Sequence, residues 1–234
     1  MADKKIRLFG GTDPSRVASA NAVAVLGLGR FGSSLALELM ANDTEVLGID
    51  TREEVVQALN GRLTHVVAAD TTSEDVLRQL AVPEFDRVVV AIGSDLEASI
   101  LTTSLLLRFG IRDVWAKAVS GAHGAILEQL GVPHVIYPEQ DMGRRVAHLV
   151  RGSMQDYIEV DNDFALVRTT PHRAITGIPL GQTDLRAKHG VTIVAVKPLG
   201  KPWTHATAET VLRPEDVILV SGRTRTAEAF SQLR

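Results

Sequence analysis

Residues 22–32, AVAVLGLGRFG, carry the pattern that decides the fold of this chain. A short apolar run is followed by three glycines at the spacing G-x-G-x-x-G. Gly27 permits a tight turn, Gly29 lets a phosphate approach the backbone, and Gly32 lets the next helix pack closely on the strand. The start of that helix offers free N–H groups and a positive dipole end to phosphates. The stretch therefore predicts a phosphate-binding turn between a strand and a helix; a tight turn without a nucleotide is the alternative.

Acidic residues after the next two apolar runs support a nucleotide. Asp50 lies about twenty residues beyond the glycines, where a carboxylate accepts hydrogen bonds from a ribose diol. Its charge disfavours a 2′-phosphate, although Arg52 could recruit one. Asp70 is either a partner of adenine or ribose, or a cap of the following helix. Arg30 lies inside the glycine turn, where it either reaches the terminal phosphates of a nucleotide or is simply exposed.

The same alternation continues through residues 21–155. Runs of strand length alternate with stretches of helical period, and the runs are apolar on both faces, as in a parallel sheet covered by helices on each side. The predicted strands are Val23–Leu26, Glu45–Ile49, His65–Ala68, Arg87–Ile92, Val114–Ala118 and Val135–Tyr137. The predicted helices are Ser33–Met40, Glu53–Leu59, Ser73–Leu80, Leu96–Phe109, Ala122–Leu130 and Asp141–Gln155. We therefore predict an α/β fold with a Rossmann-like, doubly wound parallel sheet.

The rhythm changes near Tyr157, where a β-rich module begins. Its predicted strands are Ile158–Val160, Phe164–Thr169, Val191–Pro198 and Val217–Ser221, and its predicted helices are Leu180–Lys188 and Arg225–Leu233. The chain thus divides into a flexible N-terminal tail over residues 1–20, a nucleotide-binding domain over 21–155 and a small α+β C-terminal lobe over 156–234. The polar tail could instead be a docking arm.

Composition excludes several classes of protein. The 234 residues include 25 Lys plus Arg and 28 Asp plus Glu, a net charge of −3, which gives no global case for a nucleic-acid partner. Cysteine is absent, so disulfides, thiolate metal sites, iron–sulfur clusters and cysteine nucleophiles are excluded. No apolar run approaches the roughly 20 residues that span a bilayer, and no signal-peptide pattern opens the chain. We expect a cytoplasmic protein that reaches a membrane only through a partner.

Residues that would carry redox chemistry are not grouped in the sequence. A dehydrogenase needs a proton donor or acceptor beside the nicotinamide, and a Rossmann-like domain alone does not imply one. The ionisable candidates of the second module are scattered: His172, Lys188, His189 and His205. We therefore predict that the chain is not an enzyme. The alternatives are an NAD(H)-dependent oxidoreductase and an NAD-sensing regulator of transcription, which would need a DNA-reading element.

Several segments resemble the cytoplasmic RCK (KTN) regulatory subunits of Ktr/Trk-type potassium uptake systems. The matching segments are Val25–Gly32 (VLGLGRFG), Glu45–Asp50 (EVLGID), Val89–Thr103 (VVAIGSDLEASILTT), Trp115–Ala118 (WAKA), Tyr137–Gly143 (YPEQDMG) and Asp184–Lys197 (DLRAKHGVTIVAVK). The likeness runs from about residue 21 to the C-terminus. It implies that the small lobe is an RCK C-terminal lobe, used for dimerisation.

The resemblance implies a regulator in which ATP and ADP compete for the Rossmann-like cleft. Such subunits form homodimers that assemble into an octameric ring beneath a membrane-embedded potassium-translocating subunit, which here would be a separate chain. Arg30 would approach the γ-phosphate and Asp50 would hold the ribose. Glu139 would lie near the phosphates and help to place Mg²⁺ or another divalent cation. Without the resemblance, Glu139 is an acid in the first turn of a helix.

Further residues are expected to bind the nucleotide or a second ligand. With the three glycines, Arg30, Asp50 and Glu139, the cleft is expected to include Phe31, Thr51, Arg52, Asp70, Thr71, Ile92, Gly93, Ser94 and Lys117. Close relatives often carry asparagine where this chain has Arg52. The C-terminal lobe of some relatives binds cyclic di-AMP between two subunits. The corresponding residues here are Ile178, Asp184, Leu185, Arg186 and His189; a lobe that only dimerises is the alternative.

Overall fold

The computed structural model describes residues 7–9 and 21–233. Contacts divide the chain into two compact units, the first ending at Glu139 and the second beginning at Gln140. The sequence pattern places this boundary later, after Gln155. The difference arises within one helix, whose later residues pair with residues farther along the second unit: Arg145 with Asp156, and His148 with Glu228.

The first unit contains a seven-stranded sheet. Its strands are β1 (Arg7–Phe9), β2 (Val23–Leu26), β3 (Val46–Asp50), β4 (His65–Ala68), β5 (Arg87–Val90), β6 (Asp113–Lys117) and β7 (His134–Ile136). The order is β1-β4-β3-β2-β5-β6-β7, and all pairs from β4 to β7 are parallel. This is the doubly wound order, whose direction reverses between β2 and β5, and ligands bind at that point beyond the carboxyl ends of the strands.

Helices connect the parallel strands. They are α1 (Arg30–Ala41), α2 (Glu53–Leu59), α3 (Glu74–Gln79), α4 (Leu96–Arg108), α5 (Gly121–Gln129) and α6 (Pro138–Arg151), the last of which crosses into the second unit. Alternate residues of β2 belong to two different hydrophobic clusters: Ala24 and Leu26 to one, Val23 and Val25 to the other. Since neighbouring strand residues point to opposite faces, both faces of the sheet are buried. The predicted α/β class and parallel sheet are confirmed.

Strand β1 was not predicted. It pairs antiparallel with β4, with Leu8 opposite Val67. The outer edge of β4 offers backbone N–H and C=O groups that an added strand can pair with. Residues 7–9 were expected to belong to the flexible tail, which is wrong for these three residues. The rest of the predicted tail lies outside the described residues.

The second unit contains a five-stranded antiparallel sheet in the order β11-β10-β12-β9-β8. Its strands are β8 (Asp156–Asp161), β9 (Phe164–Thr169), β10 (Val191–Lys197), β11 (Thr204–His205) and β12 (Val217–Gly222), and its helices beyond α6 are α7 (Leu185–His189) and α8 (Thr224–Ser231). The predicted helix Leu180–Lys188 is divided, because Asp184 adopts a positive φ of 54° between a 3₁₀ turn at Leu180–Gln182 and α7. Over the described ranges, no helix is long and apolar enough to cross a membrane.

Candidate functional site

The three glycines of the turn between β2 and α1 have different surroundings. Gly27 has a φ of +92°, and a Cβ there would lie 2.9 Å from the backbone nitrogen of Ile92. A Cβ on Gly32 would lie 1.9 Å from the carbonyl oxygen of Gly27. Around Gly29, by contrast, no described atom outside Gly29 and its two chain neighbours lies within 4 Å of the same position. Two of the glycines therefore allow close packing, and Gly29 leaves open space in front of the helix N-terminus.

That space belongs to a cavity of about 1010 Å³ within the first unit. Every residue predicted for the cleft lines it except Gly32, which packs beneath the turn: Gly27, Gly29, Arg30, Phe31, Asp50, Thr51, Arg52, Asp70, Thr71, Ile92, Gly93, Ser94, Lys117 and Glu139. The sequence analysis missed Ile49, Ala69, Thr72, Ala91, Asp95, Glu97, Ala98, Leu101 and Val119. Most of these adjoin the carboxyl ends of β3 to β6, so their position in a doubly wound sheet was the available signal.

The carboxylate of Asp50 is fully engaged at the end of β3. Its Oδ2 accepts hydrogen bonds from the Leu28 N–H at 2.7 Å and from Nη2 of Arg52 at 3.1 Å. Its Oδ1 accepts the backbone N–H and the Nε of Arg52, both at 3.0 Å. Burial by itself would raise the pKa of Asp50, but these hydrogen bonds hold that pKa below its ordinary value. Asp50 is therefore an ionised acceptor under physiological conditions.

Asp70 stabilises the turn after β4. Its Oδ1 accepts the backbone N–H of Thr72 at 3.0 Å and the Thr72 hydroxyl at 2.7 Å. The cap of α3 is Ser73, whose hydroxyl accepts the N–H of Val76. Asp70 therefore shapes the loop before the helix cap, and it also lines the cavity.

Lys117 and Glu139 form an ion pair in the lining of the cavity. The Lys117 Nζ lies 2.5 Å from Oε1 of Glu139 and 5.8 Å from the centre of the Phe31 ring. The hydrogen bond from Lys117, with a smaller contribution from Arg30, lowers the pKa of Glu139. Lys117 is the last residue of β6 and Glu139 is the second residue of α6. The pair therefore joins the cavity to the start of that helix.

The charges suit a nucleotide that arrives with its cation. Acidic side chains outnumber basic ones in the lining: Asp50, Asp70, Asp95, Glu97 and Glu139 against Arg30, Arg52 and Lys117. Within the described ranges, no three His, Cys, Asp or Glu residues are grouped as a metal site. Mg²⁺ is commonly held by substrate phosphates with one or two carboxylates, and the lining supplies carboxylates.

The predicted ligand residues of the second unit are not equivalent. Leu185 is 7% exposed and packs in the hydrophobic core of this unit. Arg186 is exposed and donates its Nε to Thr192 at 3.0 Å. His189 contacts Phe230 edge to face, and Asp184 pairs with Lys188 at 3.7 Å. Ile178 is partly exposed. A cavity of about 510 Å³ in this unit is lined by other residues.

Sequence comparison relates the part of the chain that forms this cavity to a known domain family. The sequence model of the TrkA-N domain matches residues 23–138, which hold the glycine turn and the parallel sheet. The chain is 36% identical over 210 residues to the Ktr system potassium uptake protein C of Bacillus subtilis (strain 168). That alignment covers 89% of this chain and 95% of the relative.

Solved structures share the fold of the chain. The GsuK RCK domain superposes with a TM-score of 0.63 at 16% identity, over 91% of this chain and 48% of that one. The GsuK channel bound to NAD superposes with a TM-score of 0.62 at 16% identity, over 92% of this chain and 40% of that one. This chain thus spans about half or less of each of those proteins. Since the alignment with the Bacillus protein covers nearly the whole of both chains, this chain belongs to the family of Ktr-type potassium uptake proteins with a TrkA-N domain.

Proposed function

We propose that the chain is a nucleotide-sensing regulatory subunit of a potassium transporter. The observation that carries this proposal is the cavity itself: an open phosphate approach at Gly29 and a buried, ionised carboxylate at Asp50 face the same space. These are the groups that a phosphate chain and a ribose diol require. The family relationship adds the potassium transporter as the partner.

ATP and ADP compete for this cavity in the proposed mechanism. The two ligands share adenine and ribose, so Asp50 contributes equally to both. They differ by the γ-phosphate, whose charge is read by Arg30 at the start of α1 and by Lys117. Glu139 would help to hold a Mg²⁺ ion that arrives with the phosphates, and this carboxylate is the one that Lys117 pairs with.

The signal leaves the cavity through α6. A ligand shifts a conformational equilibrium only by its different affinities for the two states. Lys117 and Glu139 would respond to a γ-phosphate and its cation, and Glu139 lies in the first turn of α6. The chain would work as a homodimer within an octameric ring at the cytoplasmic face of the membrane, bound to a separate potassium-translocating subunit. It would have no catalytic role.

NAD(H) is the second candidate ligand. Asp50 suits the unphosphorylated ribose of NAD as well as that of ATP, and the fold is shared with a channel whose structure holds NAD. The chain would then be a sensor of NAD(H) or an oxidoreductase. Cyclic di-AMP is the candidate ligand of the second unit, with Asp184, Arg186 and His189 as its polar contacts.

Calorimetric titration of the purified full chain with ATP, ADP, NADH and cyclic di-AMP, each with and without Mg²⁺, tests these proposals. We expect tight binding of both ATP and ADP, with Mg²⁺ changing the affinity for ATP more than that for ADP. Preferential binding of NADH, with weak adenine nucleotides, would replace the proposal with the second candidate. Binding of cyclic di-AMP that persists in Asp50→Asn would assign it to a separate site.

A further inference from the structure

The guanidinium of Arg52 is hydrogen-bonded to the Asp50 carboxylate, which is the group that a ribose diol would bind. It approaches both oxygens of Asp50, with Nε 3.0 Å from Oδ1 and Nη2 3.1 Å from Oδ2. The backbone N–H groups of Leu28 and Arg52 take one further position on each oxygen. A carboxylate offers about four acceptor positions, so all of them are in use. A ribose diol therefore finds no free acceptor at Asp50.

Of these four contacts, only the guanidinium can leave without a change in the backbone. The N–H of Leu28 is fixed by the glycine turn, and that of Arg52 lies directly before α2. The Asp50 side chain is 6% exposed, whereas that of Arg52 is 52% exposed. Arg52 is also the N-cap residue of α2, and its side chain makes no capping hydrogen bond. The arginine side chain is thus held mainly by the carboxylate that it covers.

We infer that Arg52 is a built-in competitor of the ribose, an inference that rests on the proposed function. Its guanidinium covers the acceptor that the diol needs and swings towards solvent when a ribose binds. Breaking the ion pair lowers the affinity for every nucleotide that places a ribose diol at Asp50. The effect is the same for ATP and ADP, because the competition does not involve their phosphates. Arg52 thereby sets the overall affinity, separately from the residues that distinguish the phosphates.

Titration of Arg52→Ala with ATP, ADP and 2′,3′-dideoxy-ATP tests this inference. We expect ATP and ADP to bind Arg52→Ala roughly three- to fivefold more tightly than they bind the wild type. This factor corresponds to the free energy of a partly exposed ion pair. The preference for ATP over the dideoxy analogue should rise by a similar factor, since the diol no longer has to displace the guanidinium. A merely structural role for Arg52 would not change that preference. Arg62→Ala removes an exposed arginine outside the cavity lining and is the matched control.

Other outcomes separate the inference from the proposed function. If the wild type binds neither ATP nor ADP, the proposed function fails. If it binds both but Arg52→Ala gains no affinity and no preference for the diol, the inference is overturned while the function stands. Arg52→Ser, which introduces a favourable N-cap residue for α2, repeats the test should the alanine variant fold poorly. Weaker binding of NADP⁺ by Arg52→Ala, with ATP unchanged, would assign Arg52 to a 2′-phosphate and also overturn the inference.

Discussion

Arg30 is the residue that should discriminate between ATP and ADP. It begins α1, is exposed and lines the cavity, so its guanidinium is available to a terminal phosphate. A hydrogen bond between two charged groups contributes about 1.5–3 kcal/mol. We expect Arg30→Ala to reduce the ratio of ATP to ADP affinity roughly tenfold and to leave ADP binding near that of the wild type, as measured by calorimetry. Equal losses for both nucleotides would remove Arg30 from this role, and Arg62→Ala controls for the lost charge.

Asp50 should act on the other end of the ligand. Asp50→Asn keeps the size of the side chain but removes its charge and one acceptor oxygen. We expect the affinities for ATP and ADP to fall together, roughly tenfold each, so that their ratio is unchanged. Titration of both nucleotides against the folded variant measures this. Unchanged affinities, or a loss confined to ATP, would contradict the assignment of Asp50 to the ribose.

At the scale of elements, the turn between β2 and α1 provides a matched pair of variants. A Cβ on Gly32 meets the carbonyl oxygen of Gly27, whereas a Cβ on Gly29 points into the open cavity. We expect Gly32→Ala to lower the free energy of unfolding by about 2 kcal/mol, because the helix can no longer approach the turn. Gly29→Ala should keep the stability of the wild type and lose nucleotide affinity. Chemical denaturation with calorimetry separates the two effects, and equal stability of the two variants would contradict this account.

The ion pair between α6 and β8 predicts a dependence of stability on pH. Asp156 Oδ1 accepts hydrogen bonds from Nε and Nη2 of Arg145, and these lower the pKa of Asp156 below its unfolded value. The stabilisation is therefore present above the unfolded pKa and is lost as the pH falls through the folded one. We expect Arg145→Ala to be less stable than the wild type by about 0.5–1 kcal/mol at pH 7.

The difference between the two proteins should shrink as the pH falls below about 4, near the ordinary pKa of aspartate. Urea denaturation of both proteins from pH 7 to pH 3 measures it. A difference that does not depend on pH would show that Arg145 acts through packing alone. Arg144→Ala removes a neighbouring arginine whose pair with Asp141 is more exposed, and it serves as the control.

The elements of the parallel sheet could be predicted because their pattern is local. Apolar runs bounded by turns predict buried strands, and most predicted bounds differ from the structure by only one or two residues. Three features could not be predicted from a local pattern. Strand β1 forms by pairing with the edge of β4, which is distant in the sequence. The break at Asp184 comes from a positive φ, and β11 has only two residues, which is too few to show an alternation.

Only the part of the candidate site that follows a local sequence pattern could be predicted. The glycines and Asp50 follow a spacing that phosphate and ribose chemistry imposes. The contact between Lys117 and Glu139 joins residues 22 positions apart, on β6 and α6, and is determined by tertiary packing. The ion pair between Arg52 and Asp50 joins residues two positions apart, yet it depends on a side-chain rotamer that the sequence does not specify. The sequence thus indicated many of the residues that line the cavity, and the structure shows which of them contact one another.

At the scale of the whole molecule, α6 presents an apolar stripe. Met142, Val146 and Val150 are 52%, 45% and 80% exposed, and their spacing of four residues places them along one side of the helix. Apolar residues aligned in this way usually mark an interaction surface. The proposed homodimer gives the stripe a partner, namely the same stripe of a second copy.

Val150→Asp tests whether this stripe holds two copies together. A carboxylate buried against apolar side chains without a partner is costly, so we expect the dimer to weaken at least tenfold. Light scattering and sedimentation across a concentration series would measure the change in mass, and circular dichroism would show that the fold is retained. Arg151→Ala, a neighbouring exposed substitution on a different side of α6, should leave the dimer intact. If the Val150→Asp assembly has the same mass as that of the wild type, the subunit interface does not lie at this stripe. In that case Glu139 could still respond to a nucleotide, but the later turns of α6 would not carry the response between subunits.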